Sequence, residues 1–424
     1  MFLSSDHLQA ATRRQSAPSP RRLRRTTVTL ALLLALSACG GSGGGPKGDD
    51  PTGQCAELLN ANVSVPRTLS NHAAGCDYLV EGELRVHAAL SIEAGTEVRF
   101  AQDSRLTFSG GGSLQALGTA TEPVLLRGVE NVQGYWFGLC FGDAGSSRLE
   151  HVVLRNAGKV LTGGSLACRG AIGSVGAFTS QPVSMVATMI SGSQTSGLDA
   201  ARLPLGEFQR NVFADNAEYG VRVAAAYASV LDAASDYVGA SVDAPNGRPY
   251  VYLAGTLNQP GSHHTWRALN APWFTGGDEE PYGFYVIIDN DSHVEVEPGA
   301  TFYFAERGGL TVDRNSTFTA VGSPDAPVVF TSQAESPGSW LGLLSRDAAL
   351  HLEHAEVSWA GADRGSYAGA VLVTGVRTNQ TSSVFRTLIR GSASCGLYAN
   401  SNTEAFLDHG ENTFEQNGAN LCLP

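Results

Sequence analysis

Two copies of one short run carry the side chains best suited to chemistry. Leu149-Glu150-His151 and Leu352-Glu353-His354 each set a carboxylate beside an imidazole. Histidine titrates near neutral pH and a carboxylate can give or take a proton, so either pair could serve as acid and base. Arg155 and Arg364 follow further along. Carboxylates grouped with arginine on one strand face would suit cleavage of a polysaccharide, and glycoside hydrolysis needs two carboxyl groups roughly 5–10 Å apart. The competing reading of His151 and His354 is structural, an outward or stacking residue kept at a matching strand position in both copies.

Other candidates have the same two sides. His263-His264 has the donor type of a metal site, yet no acidic or cysteine partner stands at a telling spacing. Asp289-Asn290-Asp291-Ser292 resembles a calcium turn but lacks the glycine at position six and the later glutamate of the helical calcium loop. Asn211, Asn216, Asn412 and Asn417 suit bends or an internal ladder, since asparagine satisfies backbone groups there. Trp136 and Trp340 could stack on sugar rings, but their equivalence in the two copies points to a shared structural job. No catalytic residue, cofactor or metal is expected from these patterns. Glu150, His151, Glu353 and His354 are the surface-site candidates.

The elements that must position these residues are short strands. Leu90-Ser91-Ile92-Glu93-Ala94-Gly95-Thr96-Glu97-Val98-Arg99-Phe100 recurs as Val294-Glu295-Val296-Glu297-Pro298-Gly299-Ala300-Thr301-Phe302-Tyr303-Phe304, an offset of 204. At that offset Ala116 matches Ala320, Gly118 matches Gly322, Pro123 matches Pro327 and Trp136 matches Trp340. Such self-similarity marks a duplicated unit of about 200 residues. β-rich runs at 84–86, 90–92, 97–100, 105–108, 113–117 and 123–126 alternate with Gly, Asp-Ser or Thr-Glu-Pro turns. Residues 223–234 come closest to a helical pattern. A local period also exists: Ile190 through Leu198 recurs as Phe213 through Val221, a shift of 23, and Ile92, Leu114 and Trp136 are spaced by 22. A coil of three short strands takes about that many residues, and stacked coils bury like side chains on like.

The Glu-x-Gly-Thr/Ala-x-aromatic run, the segments around Leu114, Ala116, Gly118, Thr119, Pro123 and Val124 and around Phe318, Ala320, Gly322, Pro327 and Val328, and the Trp-x-Gly-Leu runs resemble segments of bacterial right-handed parallel β-helix lipoproteins. Those belong to the pectate-lyase-like architecture. The resemblance implies an all-β fold, a right-handed parallel β-helix (solenoid), and no particular activity. The expected organisation is a leader at 1–38, a tether at 39–53, a first β-helix unit at 54–224, a junction at 225–284 and a second unit at 285–424.

Arg21-Arg22-Leu23-Arg24-Arg25 precedes the apolar run 30–36, which is the pattern of a secretory signal and too short to span a bilayer stably. It ends in Leu36-Ser37-Ala38-Cys39-Gly40, which resembles the bacterial lipobox. The resemblance implies that Cys39 becomes the lipid-bearing N-terminus and, with Gly40 rather than Asp next to it, that the protein is sorted to the outer membrane or cell surface. Metabolic lipid labelling is expected to tag the protein and Cys39→Ala to abolish the tag. The six other cysteines, Cys55, Cys76, Cys140, Cys168, Cys395 and Cys422, form an even set in an exported chain and imply disulfides. Many pairings are open; nearest neighbours would each close about one to one and a half coils.

Removing the leader takes away six arginines and one aspartate, so 28 − 6 = 22 basic and 40 − 1 = 39 acidic groups remain, a balance of −17. That excludes nucleic acid as a partner, because phosphate binding needs a basic footprint. The expected partners are the membrane, through the lipid, and a glycan or envelope protein; the sequence leaves oligomeric state open. The sequence favours a non-enzymatic scaffold, adhesin or glycan-binding surface protein, with polysaccharide lyase or glycoside hydrolase as the alternative.

Overall fold

A computed structural model describes residues 55–72, 75–160, 168–176, 181–276, 285–362, 369–375, 381–400, 407–408 and 411–423. The leader, Cys39, the tether and Arg364 lie outside them. The described residues belong to one compact unit within Lys47–Pro424. Their regular secondary structure is almost wholly β-strand, and every pairing between named strands is parallel. Residues 223–234, the stretch closest to a helical pattern, hold only a short 3-10 turn, Ala225–Val230.

The strands form stacked parallel sheets, consistent with a parallel β-helix. Each strand pairs with its counterpart one circuit later. One six-stranded sheet runs from Arg67–Leu69 to Leu205–Gln209, another from His263–Trp266 to Leu407–Asp408, and a seven-stranded sheet from Cys55–Leu59 to Val212–Ala214. A fourth sheet, much longer, runs from Glu83–Val86 through Tyr219–Ala224 and into the 11-residue strand Arg248–Asn258, where it branches.

Alternation explains why these short runs are strands. Arg105–Phe108, Thr317–Val321 and Val328–Ser332 bury every second side chain, which is the period of a pleated strand with one face on a core. The inward residues stack in register. Ile92, Ala116, Leu149, Met185 and Phe208 form one ladder, and Trp266, Val296, Ala320, Leu352 and Val384 form another. The matching residues Ala116 and Ala320 thus hold matching places, as do Leu149 and Leu352.

The shift of 23 is an actual register: Ile190 pairs with Phe213 and Leu198 with Val221. The spacing of 22 is not. Ile92 pairs with Ala116 and not with Leu114, and Trp136 precedes the strand Gly138–Phe141. Loops of unequal length between strands break any constant period there.

Strand pairing continues within residues 225–276, the described part of the stretch read from the sequence as the junction. Val251 and Tyr252 pair backwards with Val221 and Arg222 and forwards with Trp273 and Phe274. Past Gly255 the same strand enters a different partnership, with Gly255–Asn258 beside Val286–Asp289. Gly255 has φ of 82°, a conformation that costs glycine little, so the strand turns a corner with no loop.

The disulfides join Cys55 to Cys76, Cys140 to Cys168 and Cys395 to Cys422, the nearest-neighbour pairing. Each ties neighbouring circuits. The four asparagines form internal ladders. Asn211 accepts the Thr188 amide at 3.0 Å and donates to the Met185 carbonyl at 3.0 Å; Asn412 does the same for Thr387 and Val384. Asn216 and Asn417 repeat the arrangement at the next bend, and Asn246 extends it.

Candidate functional site

His151 and His354 occupy equivalent corners. Each follows a strand of one sheet and precedes a strand of the next, with φ of 49° and 46°. Later circuits place Ala187, Arg210 and Arg386 at the same kind of corner, with φ of 48°, 52° and 47°. The corner therefore demands a left-handed backbone and not an imidazole. Gly118 and Gly322 allow the close approach: a Cβ on either would lie 2.4 Å from the carbonyl oxygen of His151 or His354.

Glu150 and Glu353 do not share a sheet. Glu150 accepts a hydrogen bond from Arg148 at 2.8 Å, and the same guanidinium reaches Glu207 at 2.7 Å. Arg155 is exposed on the neighbouring sheet. Glu353 lines an open depression of about 700 Å³ with His351, Ser383, Phe385 and Glu411. Here Arg386 stands between two carboxylates, 3.8 Å from Glu353 and 2.8 Å from Glu411. Burial lowers the His351 pKa below its ordinary value, and its Nδ1 lies 3.0 Å from Ser383 Oγ. The depression thus offers two arginine-bound carboxylates and an imidazole disposed to stay neutral.

The remaining sequence candidates are structural. Trp136 and Trp340 are fully buried, stacked on Phe100 at 3.7 Å and on Phe304 at 4.1 Å, with indole N–H groups donating to the Arg155 and Ser358 carbonyls. Asp289 is held by both arms of Arg314, and one circuit on Asp313 is held by Arg346 at 3.0 and 2.6 Å. That arginine–carboxylate ladder uses the Asp289 oxygens a cation would need. The His263 ring stacks on His293 at 4.8 Å, and buried His264 meets Ser229 and Ser262. Burial and the neighbouring His263 lower the His264 pKa. Among the described residues no cluster of His, Cys, Asp and Glu could hold a metal, and no helix there is long and apolar enough to cross a membrane.

A different face brings together residues from five separate strands and bends. Downstream of the branch, Tyr303 pairs in register with Thr331, and Ser358 with Arg390. Ser358 donates to Thr331 at 2.9 Å, which joins the two pairs into one outward row. Tyr250 packs edge-on against Tyr303 with ring centroids 5.6 Å apart. Arg390 donates from Nε at 3.0 Å and from Nη2 at 2.7 Å to one oxygen of Glu356. Trp359 completes a cleft of about 450 Å³. Aromatic rings beside a fixed arginine–carboxylate pair can stack on a ring and hydrogen-bond its edge.

No family model, curated protein or solved structure matches this chain. The geometry alone therefore carries the functional reading.

Sequence reasoning passed over Tyr250, Tyr303, Glu356, Trp359 and Arg390. One signal was present. With Leu149-Glu150-His151 laid on Leu352-Glu353-His354, Trp359 falls on Asn156. A large aromatic replacing a small polar residue between otherwise similar segments marks a difference in use.

Proposed function

We propose that this chain is a lipid-anchored bacterial cell-envelope protein, held through Cys39 at the outer membrane or cell surface. Its mature part is a right-handed parallel β-helix built from two duplicated units of about 200 residues. It acts as a non-catalytic scaffold that binds glycan along one side. The observation that carries this reading is the cleft of Tyr250, Tyr303 and Trp359 beside the Glu356–Arg390 pair, on the outer face of the long sheet. The matching places of Ala116 and Ala320 and of Leu149 and Leu352 support the duplication.

A polysaccharide lyase or glycoside hydrolase is the second reading. The depression with Glu353, Arg386 and Glu411 favours it, since two carboxylates there flank one arginine. Against it, both carboxylates are engaged by that arginine, and a general acid must be free to carry a proton. Incubating the protein with pectin, alginate and purified envelope glycans separates the two readings. Retention of a glycan with no new reducing ends or unsaturated products is expected. Turnover that disappears in Glu353→Gln would replace the scaffold reading with the enzymatic one.

A further inference from the structure

One corner of the fold is occupied in an unexpected way. The bends at Asn156, Gly192 and Asp215 stack on one another, each amide donating to the next circuit: Asn156 to Ser191, Gly192 to Asp215 and Asp215 to Ala244. The bends at Trp359, Gly391 and Gln416 form the corresponding corner, with Trp359 donating to Arg390 and Gly391 to Glu415. All six have positive φ, between 52° and 69°. Four are glycine, asparagine or aspartate, which such a corner accepts at low cost; Gln416 and Trp359 are the two larger side chains. Trp359, at 65°, is the largest of the six and the one aromatic among them, and this backbone costs its side chain more than it costs asparagine. Its equivalent Asn156 is buried and bonds to Asn131 at 3.1 Å, so the fold itself is served by asparagine there.

The surroundings are arranged to hold the indole. A Cβ on Gly391 would lie 2.4 Å from the Trp359 ring, so the ring lies across a glycine that leaves room for it. The guanidinium carbon of Arg390 is 5.8 Å from the ring centroid. The Trp359 carbonyl accepts from the Ser339 amide at 2.9 Å, which fixes the backbone from the other side. The ring is half-buried, with its remaining surface in the cleft shared with Tyr250 and Tyr303. Strain retained at a site whose surroundings over-determine it points to a use for that side chain.

The geometry points to this cleft as the saccharide site, and to a neutral, hexopyranose-containing glycan as its ligand; the inference rests on the glycan-binding reading above. Sugar rings expose C–H faces that pack on aromatic planes, and paired hydroxyls that suit planar polar groups. Tyr250, Tyr303 and Trp359 supply the planes. Glu356 and Arg390 supply a fixed acceptor and donor, and Gln333, bonded to the Tyr250 hydroxyl at 2.6 Å, sets the rim. Charge decides the class. Arg390 is already engaged by Glu356, and Glu335 adds a second carboxylate to the lining. A uronate would meet two like charges against one neutralised cation, and that juxtaposition selects against it. The mature chain's excess of acidic groups acts in the same direction.

The test measures binding of full-length protein to cellohexaose, maltohexaose and chitohexaose, with oligogalacturonate and oligoalginate of the same length as anionic probes. Tryptophan fluorescence and calorimetry read the affinity, and thermal melting reads the fold. Trp359→Asn installs the residue found at the equivalent bend, so its melting temperature is expected to stay level or rise while affinity for the neutral probe falls at least tenfold. Tyr303→Thr installs the residue of the next strand in the row and is expected to weaken binding likewise. Neutral-glycan binding unchanged in both folded variants would overturn the assignment of the site while leaving glycan binding intact. Binding confined to the uronate probes would overturn the ligand class. Absence of binding to every probe would remove the glycan reading itself, and this inference with it.

Discussion

Trp340→Ala is expected to lower the unfolding free energy by about 3–5 kcal/mol, the range for truncating a fully buried aromatic. Three losses combine. The indole has no exposed surface, so its whole apolar area leaves the core. Its stack on Phe304, with planes 6° apart, is broken. The Ser358 carbonyl loses its donor at 2.8 Å. Because Ser358 also donates to Thr331 in the floor of the cleft, the variant should disturb the cleft as well. Trp340→Phe keeps most of the packing and should cost far less. Urea denaturation followed by circular dichroism checks both, and an unchanged midpoint for the alanine variant would contradict the burial on which the stacked core depends.

The second large effect concerns a charge inside the molecule. Asp199 and Arg222 are neighbours in register, 3.4 Å apart, and are only 3% and 2% exposed. The guanidinium also lies 4.6 Å from the centre of the Tyr252 ring and 5.8 Å from that of Tyr219. Burial raises the Asp199 pKa above the ordinary aspartate value, while Arg222 and, less strongly, Arg169 pull it down. Arg222→Met removes the main compensation and is expected to cost about 3–5 kcal/mol at neutral pH. The pH dependence has a definite sign. With a raised folded-state pKa, the folded chain holds a proton that the unfolded chain releases near its own lower value. The associated stability is complete below about pH 4 and is lost as pH climbs through the folded-state value. The variant should therefore be closest to wild type in acid and worst at neutral and alkaline pH. Asp199→Asn combined with Arg222→Met should recover most of the loss. Melting curves across pH test this, and a deficit independent of pH would show that packing, not charge, explains it.

Much of the architecture was legible because it rests on local chemistry. Inward residues alternate with outward ones, asparagines at some bends satisfy the backbone of the neighbouring circuit, and neighbouring cysteines lie about one circuit apart. Ile190 could be laid on Phe213, and Asn211 on Asn412, without coordinates. The equivalence of Trp136 and Trp340 likewise pointed to the core they occupy. The same reasoning overreached with Ile92, Leu114 and Trp136, where equal spacing did not mean equal height in the stack.

The candidate site was hidden for a related reason. Glu150 with His151 and Glu353 with His354 are adjacent in sequence, yet adjacent strand residues point to opposite faces and a corner follows at once, so chain neighbours need not share a surface. Tyr250, Tyr303, Glu356, Trp359 and Arg390 lie far apart in the chain and meet only because parallel pairing brings successive circuits side by side. Sequence by itself determined the strand-and-turn pattern, the matching positions of the two copies and that the six cysteines pair, while the structure fixed which cysteine joins which. Only tertiary structure decided which outward side chains meet, because loop lengths set the height of each strand in the stack, and because the corner at Gly255 redirects the long sheet into two branches.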